Sequence, residues 1–277
     1  MKEIRFTFQI FVPGGNDTAL VLDLHDRHQY RQINQKITGD YHNVEQVGFV
    51  NPDHAQPRLA MAGGEFCGNA TRSAAWYYLN GQPGEIQIQV SGVSRLLKAG
   101  VTDALEAWAE MPVGQDLTGV SQPKPGHHLV KMEGITHLIL EPEQAKPFLE
   151  AAASGSKLTN AAFELLEFYD LMKEPAAGVL FLEKLPTGWK MHPCVYVSAN
   201  DQMYYETACG SGSVAVGLWQ TAEKQTSQEL AIAQPSGGVI KVLISYHDGQ
   251  VTQARICGPI TTDRKIYEEV VTDECSQ

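Results

Sequence analysis

Apolar and polar residues alternate with a period of two in many short runs of this chain, and with a helical period in a few longer ones. Residues 4–12 alternate as a strand, Pro13-Gly14-Gly15-Asn16-Asp17 reads as a turn, and Ala19 to Leu24 as a second strand. Tyr30 to Ile37 carries a short amphipathic-helix pattern, and Glu45 to Val50 begins a strand with an acid at its entrance. An alanine-rich helix is predicted from Cys67 to Leu79, followed by a strand at Ile86 to Val90, a turn at Ser91-Gly92, a strand from Val93 to Val101 and another from Ala107 to Pro112. Residues 113–128 hold several Gly and Pro and read as a crossing segment. Beyond it lie two strands between Leu129 and Glu141, then helix from Ala145 to Leu171, broken near Ser154-Gly155-Ser156. Strands follow at Gly178 to Glu183 and Cys194 to Ser198. A second small-residue helix starts at Cys209, and strands occupy Leu230 to Ala233, Val239 to Ile244 and Ala254 to Pro259. The tail is expected to give one last strand that returns to the first half.

The pattern contains a repeat. Glu65-Phe66-Cys67-Gly68-Asn69-Ala70-Thr71 and Glu206-Thr207-Ala208-Cys209-Gly210-Ser211-Gly212 each place an acid before Cys-Gly, and an apolar helical run after it. Each run is followed by strand, tight turn, strand, and then by a short strand ending in proline. The two cysteines stand about half the chain apart, so the order argues for duplication of one structural unit. The first half is expected to span 1–115 together with a strand from 261–277, and the second 116–260.

Composition narrows the function. The chain has 277 residues and a net charge of −11, which argues against a nucleic-acid backbone or an anionic membrane surface as partner. No apolar run approaches the ~20 residues that span a bilayer. Five widely spaced cysteines give no disulfide framework, so a cytoplasmic, reducing location is expected. His127-His128 invites a metal reading. Neighbours on a strand point to opposite faces, and no Cys or His lies at ligand spacing, so no metal is expected there. His137, amid apolar residues, reads as a core histidine, and Cys194, Cys257 and Cys275 as structural.

Cys67 and Cys209 invite a chemical reading. A cysteine opening a helix sits beside N–H groups without intrahelical partners and at the positive end of the dipole. Its thiol is expected to lose its proton more easily than the usual pKa of about 8.5. The N–H groups of Gly68, Asn69, Gly210 and Ser211 could bind a carboxylate and favour an enolate-like state. With both cysteines at one small ligand, a thiolate could remove the α-proton of an amino acid and a thiol return one to the opposite face, without a cofactor. Glu206, and Glu65 or Glu45, could receive the substrate ammonium; Gly14 to Asp17 reads equally as a plain hairpin turn or as a turn that puts Asn16 at the mouth of the site. The expected partner is a small-molecule amino acid; a homodimer is the macromolecular assembly to test.

Gly14-Gly15-Asn16-Asp17, Cys67-Gly68-Asn69-Ala70-Thr71-Arg72 and Ala208-Cys209-Gly210-Ser211-Gly212 together resemble the diaminopimelate epimerase superfamily of cofactor-independent racemases and epimerases. The resemblance covers essentially the whole chain. It implies an α+β fold of two pseudo-symmetric halves, each an antiparallel sheet wrapped around a central helix, with the site between them. The chain departs from diaminopimelate epimerases in three places. Arg58-Leu59-Ala60-Met61 has Met where an Asn is expected, Gly134-Ile135-Thr136-His137 replaces a Gly-Asn-Pro-His segment, and no Arg lies between Val195 and Cys209. A substrate without a second amino-acid end is implied. Glu45 to Phe49 and the two cysteine stretches are most similar to histidine racemases, which implies Glu45 as a residue shaping the side-chain pocket.

Other readings remain: diaminopimelate epimerase itself, a racemase of another amino acid, a redox or metal protein using the cysteine pair, or a non-catalytic amino-acid-binding protein. A phenazine-biosynthesis-type isomerase shares the fold but does not use this cysteine pair.

Overall fold

A computed structural model describes residues 2–152, 155–198 and 201–273. The chain forms two compact units, 1–110 with 257–277, and 111–256. In the first lie β1 (Lys2–Phe11), β2 (Thr18–Val21), α1 (Tyr30–Asp40), β3 (Gln46–Val50), β4 (Arg58–Met61), α2 (Gly68–Tyr78), β5 (Gly84–Val90), β6 (Leu97–Val101) and β7 (Glu106–Glu110). The second holds β8 (Val120–Lys124), β9 (His127–Met132), β10 (Ile135–Leu140), α3 (Pro142–Ala151), α4 (Gly155–Phe168), β11 (Ala176–Leu185), β12 (Gly188–Val197), β13 (Gln202–Tyr205), α5 (Gly210–Lys224), β14 (Gln228–Ala233) and β15 (Val239–His247). The boundary between the units falls within β16 (Gln250–Pro259), and β17 (Tyr267–Asp273) pairs antiparallel with β1. The architecture is a sheet-rich mixed α+β fold.

The sheets are mixed, which corrects the expectation of purely antiparallel ones. β2–β3, β4–β5, β10–β11 and β12–β14 run parallel. Parallel neighbours need a crossover, usually helical. Here α1 joins β2 to β3, α2 joins β4 to β5, and α3 with α4 joins β10 to β11. The segments 153–154, 199–200 and 274–277, which include part of the expected helix break and Cys275, lie outside the described residues.

Two helices set the frame for the chemistry. Nine of the eleven residues of α2 are buried, and α5 is buried almost continuously from Gly210 to Thr221. A helix apolar or small on all sides is one that a fold encloses. In the first unit Ala70, Ala74 and Ala75 pack with Leu20, Leu59, Ile88, Leu97 and Ala99. In the second, an added Cβ on Gly217 would sit 2.9 Å from both Val242 and Ile244, so glycine allows α5 to lie directly against β15. Small residues thus trade side-chain burial, worth about 1.5–3 kcal/mol for a large apolar group, for close backbone approach. The far face of β1, with Phe6, Phe8 and Ile10, is covered by Ile33 and Ile37 of α1. In the second unit α3 and α4 bury Ala145, Leu158, Ala162 and Leu166 against β10 to β12. Among the described residues, no helix is long and apolar enough to cross a membrane.

Candidate active site

Each of the two enclosed helices starts on a cysteine. Cys67 is the N-cap of α2 with extended backbone, and its Sγ accepts from the Ala70 N–H at 3.4 Å. Cys209 caps α5 in the same conformation, its Sγ accepting from the Gly212 N–H at 3.3 Å. The likeness extends one turn further. Thr71 Oγ1 donates to the Cys67 carbonyl at 2.7 Å, and Ser213 Oγ to the Cys209 carbonyl at 2.7 Å. Sulfur takes the place that a Ser, Thr, Asp or Asn oxygen usually holds at this position.

In the first unit the sulfur is reached from the first residue of β3. The side chain of Gln46 hydrogen-bonds Cys67 and also donates to Thr18 Oγ1 at 2.7 Å and to the Asn16 carbonyl at 3.5 Å. The backbone N–H of Glu45 donates to the Asp17 carbonyl at 2.9 Å. Asn16 itself takes a left-handed φ of 60°, next to Gly14 and Gly15, which are left-handed too. Asn16, Glu45 and Cys67 therefore belong to one neighbourhood, linked by Gln46. The side chain of Glu45 is exposed, and that of Gln46, the residue next to it, reaches the thiol.

Arg72 fastens the same neighbourhood from below. It is fully buried. Its Nη2 donates to the Pro13 carbonyl at 2.9 Å and to Asn69 Oδ1 at 3.0 Å, so one guanidinium ties the glycine loop to the first turn of α2. Desolvation lowers its pKa to about 10, and Cys257, Cys67 and Glu106 pull the other way, so it stays charged at neutral pH. The Asn69 side-chain oxygen is thus engaged by Arg72, while the role expected of Asn69 was that of its backbone N–H.

In the second unit Cys209 is buried. Its N–H donates to Gln234 Oε1 at 3.0 Å, and Gln234 Nε2 donates to Ser213 Oγ at 3.2 Å. The half-buried Glu206 accepts from the thiol, and Ser211 Oγ lies 3.5 Å from Sγ. Gly210 opens α5 and is buried, while Ser211 is partly exposed. Glu206, Cys209, Gly210 and Ser211 thus come together, and Gly68 and Asn69 do so beside Cys67.

The expected acidic thiols are not found. Burial pushes Cys67 up to about 11, against the lowering influence of the Ala70 and Asn69 N–H groups and Gln46, with Glu65 adding to the rise. Cys209 is raised well above its usual range, first by burial and then by the charge and hydrogen bond of Glu206. The helix-end donors are present, but desolvation outweighs them. A thiol near 11 is roughly one part in 10⁴ thiolate at pH 7. Alkylation of Cys67 by iodoacetamide should therefore accelerate about tenfold per pH unit from 7 to 10. A profile that levels off below pH 9, read by mass spectrometry of the Cys67 peptide, would contradict this environment.

Other candidates resolve as structural or acquire new partners. Cys194 is buried and pushed up to about 12 by burial and Glu206. The Cys257 thiol donates to Glu106 at 3.8 Å. The four described cysteines form no disulfide. His127 and His128 take different partners, Tyr169 and Glu141 at 2.9 and 2.6 Å. No Cys or His stands at ligand spacing from His128 in the sequence, yet carboxylates gather there: ligand atoms of His128, Glu141 and Glu223 lie within 4.8 Å of one another. Both glutamates are already hydrogen-bonded, Glu141 to His128 and Glu223 to Trp219.

A solved hydroxyproline epimerase from Agrobacterium vitis, with bound trans-4-hydroxy-L-proline, aligns with TM-score 0.62 at 11% identity over 98% of this chain and 94% of that one. An Enterococcus faecalis protein of the phenazine biosynthesis PhzF family aligns at 0.59 and 11%, over 98% of this chain and 100% of that one. At such identities the likeness is one of fold. Sequence relatives are more specific. A histidine racemase of Staphylococcus aureus is 25% identical and one of Fusobacterium nucleatum 29%, each over 92% of this chain and 94% of the relative. The family model described as the histidine racemase CntK N-terminal domain matches residues 5–264. By that match, the chain belongs to the histidine racemase family.

Proposed function

We propose that the protein interconverts L- and D-histidine by a two-base mechanism in which Cys67 and Cys209 are the bases, without a cofactor. One observation carries the reading: in a chain of this family, the two helices that begin on cysteine both turn the sulfur onto backbone N–H groups, at 3.4 and 3.3 Å. A thiolate formed there has its stabilising donors in place. The two units would be the pseudo-symmetric halves of a diaminopimelate epimerase-like fold. The matching order of cysteine cap, enclosed helix and following strands supports that.

The thiolate of one cysteine takes the Cα proton, and the electron pair left on carbon spreads into the carboxylate as an enediolate. The other cysteine, as thiol, delivers its proton to the opposite face and becomes the thiolate. Configuration inverts and the protons balance, with the two sulfurs exchanging states. N–H groups at the starts of α2 and α5 suit the carboxylate, whose charge grows in the transition state. Both resting thiols are raised, so the ionised one must form as substrate arrives. Glu206 accepts the Cys209 proton in a hydrogen bond and its charge keeps that thiol protonated; a substrate ammonium drawn to its carboxylate would offset that charge and ease ionisation. The proposal assigns Glu45 and Asn16 to the mouth of the site and to side-chain selection. The Gln46 side chain donates to the Asn16 carbonyl, and the Glu45 N–H to the carbonyl of the next residue, Asp17, which supports this assignment.

The test is incorporation of solvent deuterium at Cα, under reducing conditions and without added cofactor, across L-histidine, diaminopimelate and other L-amino acids. Exchange and loss of optical rotation with histidine alone is the expected result. Exchange with diaminopimelate but not histidine would overturn the substrate assignment. Binding of an amino acid without exchange would replace the enzyme by a binding protein.

A further inference from the structure

A buried histidine that the mechanism does not use touches the second sulfur through one intermediary. His137 lies on β10 with no solvent exposure. Its Nε2 is 3.0 Å from Ser211 Oγ, and that oxygen is 3.5 Å from Cys209 Sγ. Room for the ring comes from the paired strand. Gly178 is the register partner of His137 on β11, and a Cβ there would lie 2.4 Å from Nδ1. Among the described residues Nδ1 has no hydrogen-bond partner.

We propose that His137 is a positioning residue which, through Ser211, aims a hydroxyl hydrogen at Cys209 and so sets how readily that thiol ionises. The inference rests on Cys209 acting as a base. The proton positions follow from cost. A buried N–H without an acceptor is rarer in proteins than a buried lone pair without a donor, so the single ring proton belongs on Nε2. It donates to Ser211 Oγ. The hydroxyl hydrogen is then free to point at sulfur, where it favours thiolate over thiol. Burial holds the imidazole neutral, with a pKa of about 3, so the ring is a fixed donor over the whole working range of pH.

Two groups therefore act on Cys209 in opposite senses. Glu206 accepts from the thiol and favours the protonated form; Ser211, backed by His137, donates and favours the ionised one, as does the Gly212 N–H. Cys67 has Gln46 in the donor role, and among the described residues no histidine-serine pair stands in the same relation to it. The two bases are thus matched in backbone and different in the side chains that tune them.

The measurement is the pH dependence of iodoacetamide alkylation at Cys209, read peptide by peptide in substrate-free protein, with Cys67 as internal control. Loss of one neutral hydrogen bond to the thiolate should slow Cys209 about tenfold at a given pH and shift its profile alkaline by about one unit. Ser211→Ala and His137→Leu should do so to similar extents. Their combination should add little, and His137→Gln, which keeps an N–H within reach of Ser211, should recover part of the loss. An unchanged Cys209 profile in His137→Leu, additive shifts in the double variant, or an equal shift at Cys67 would each overturn the proposal. If His137→Leu does not fold, Ser211→Ala and His137→Gln decide it: an unchanged profile in Ser211→Ala, or a Gln variant as slow as Ser211→Ala, would sink the idea. No substrate is present, so failure of the racemase reading would leave this result unaffected.

Discussion

Cys67→Ser and Cys209→Ser are each expected to lower kcat for histidine racemisation by about 10²–10⁴-fold, the usual contribution of a positioned acid or base. Serine keeps the shape and the cap: its oxygen can accept from the Ala70 or Gly212 N–H as sulfur does. The ionisation is what it loses, since an alcohol is far weaker as an acid than even a thiol raised to about 11. The loss should therefore fall on kcat with little change in KM, the pattern of an interaction made only in the transition state. Racemisation followed by polarimetry, beside circular dichroism to confirm folding, checks this. A folded single variant with near-parental kcat would remove that cysteine from the mechanism.

The second large effect is expected on stability. Gly92 follows Ser91 in the turn between β5 and β6, and this turn braces the loop that carries Cys67. Ser91 Oγ donates to the Glu65 carbonyl at 2.7 Å and accepts from the Met61 N–H at 2.9 Å. Gly92 has φ of 77°, and a Cβ there would meet the backbone N of Phe66 at 2.5 Å and the carbonyl carbon of Glu65 at 2.9 Å. Backbone atoms cannot swing aside as a side-chain end can. Gly92→Ala should combine the left-handed penalty, roughly 1–2 kcal/mol, with overpacking of roughly 1–3 kcal/mol. A fall in Tm of roughly 5–15 °C follows for a chain of this size. Because the displaced loop leads into Cys67, kcat/KM should fall too. Scanning calorimetry decides: a variant melting with the parent would show that the loop yields at no cost.

The elements around the two cysteines were legible because their signals are local. Small residues after Cys-Gly, with an apolar run behind them, specify a buried helix and its start within a residue. Strand positions followed from alternation, with ends displaced where a ladder extends them: β12 begins at Gly188, although the pattern marked Cys194 to Ser198. Contacts between distant parts of the chain were not legible. Gln234 reaches Cys209 from the turn after β14, and His137 reaches Ser211 from β10. No spacing rule connects such pairs. Glu45 drew attention for its charge, whereas Gln46, neutral and unremarked, bonds the thiol. Arg72 looked like part of a motif, and its complete burial became visible only with α2 enclosed. The acidity of the thiols was misjudged for one physical reason. A helix start can be read from sequence, while the desolvation that opposes it depends on how many atoms the rest of the fold brings near.

The sulfur caps carry a consequence for how these positions can vary. Ser, Asp and Asn are the residues that best begin a helix, and cysteine is not among them. A survey for stabilising changes, guided by cap preference alone, would rank replacements at 67 and 209 among its attractive choices. Those are the two substitutions that the proposed two-base mechanism would not tolerate. Under that mechanism, stability and turnover pull these two sites in opposite directions.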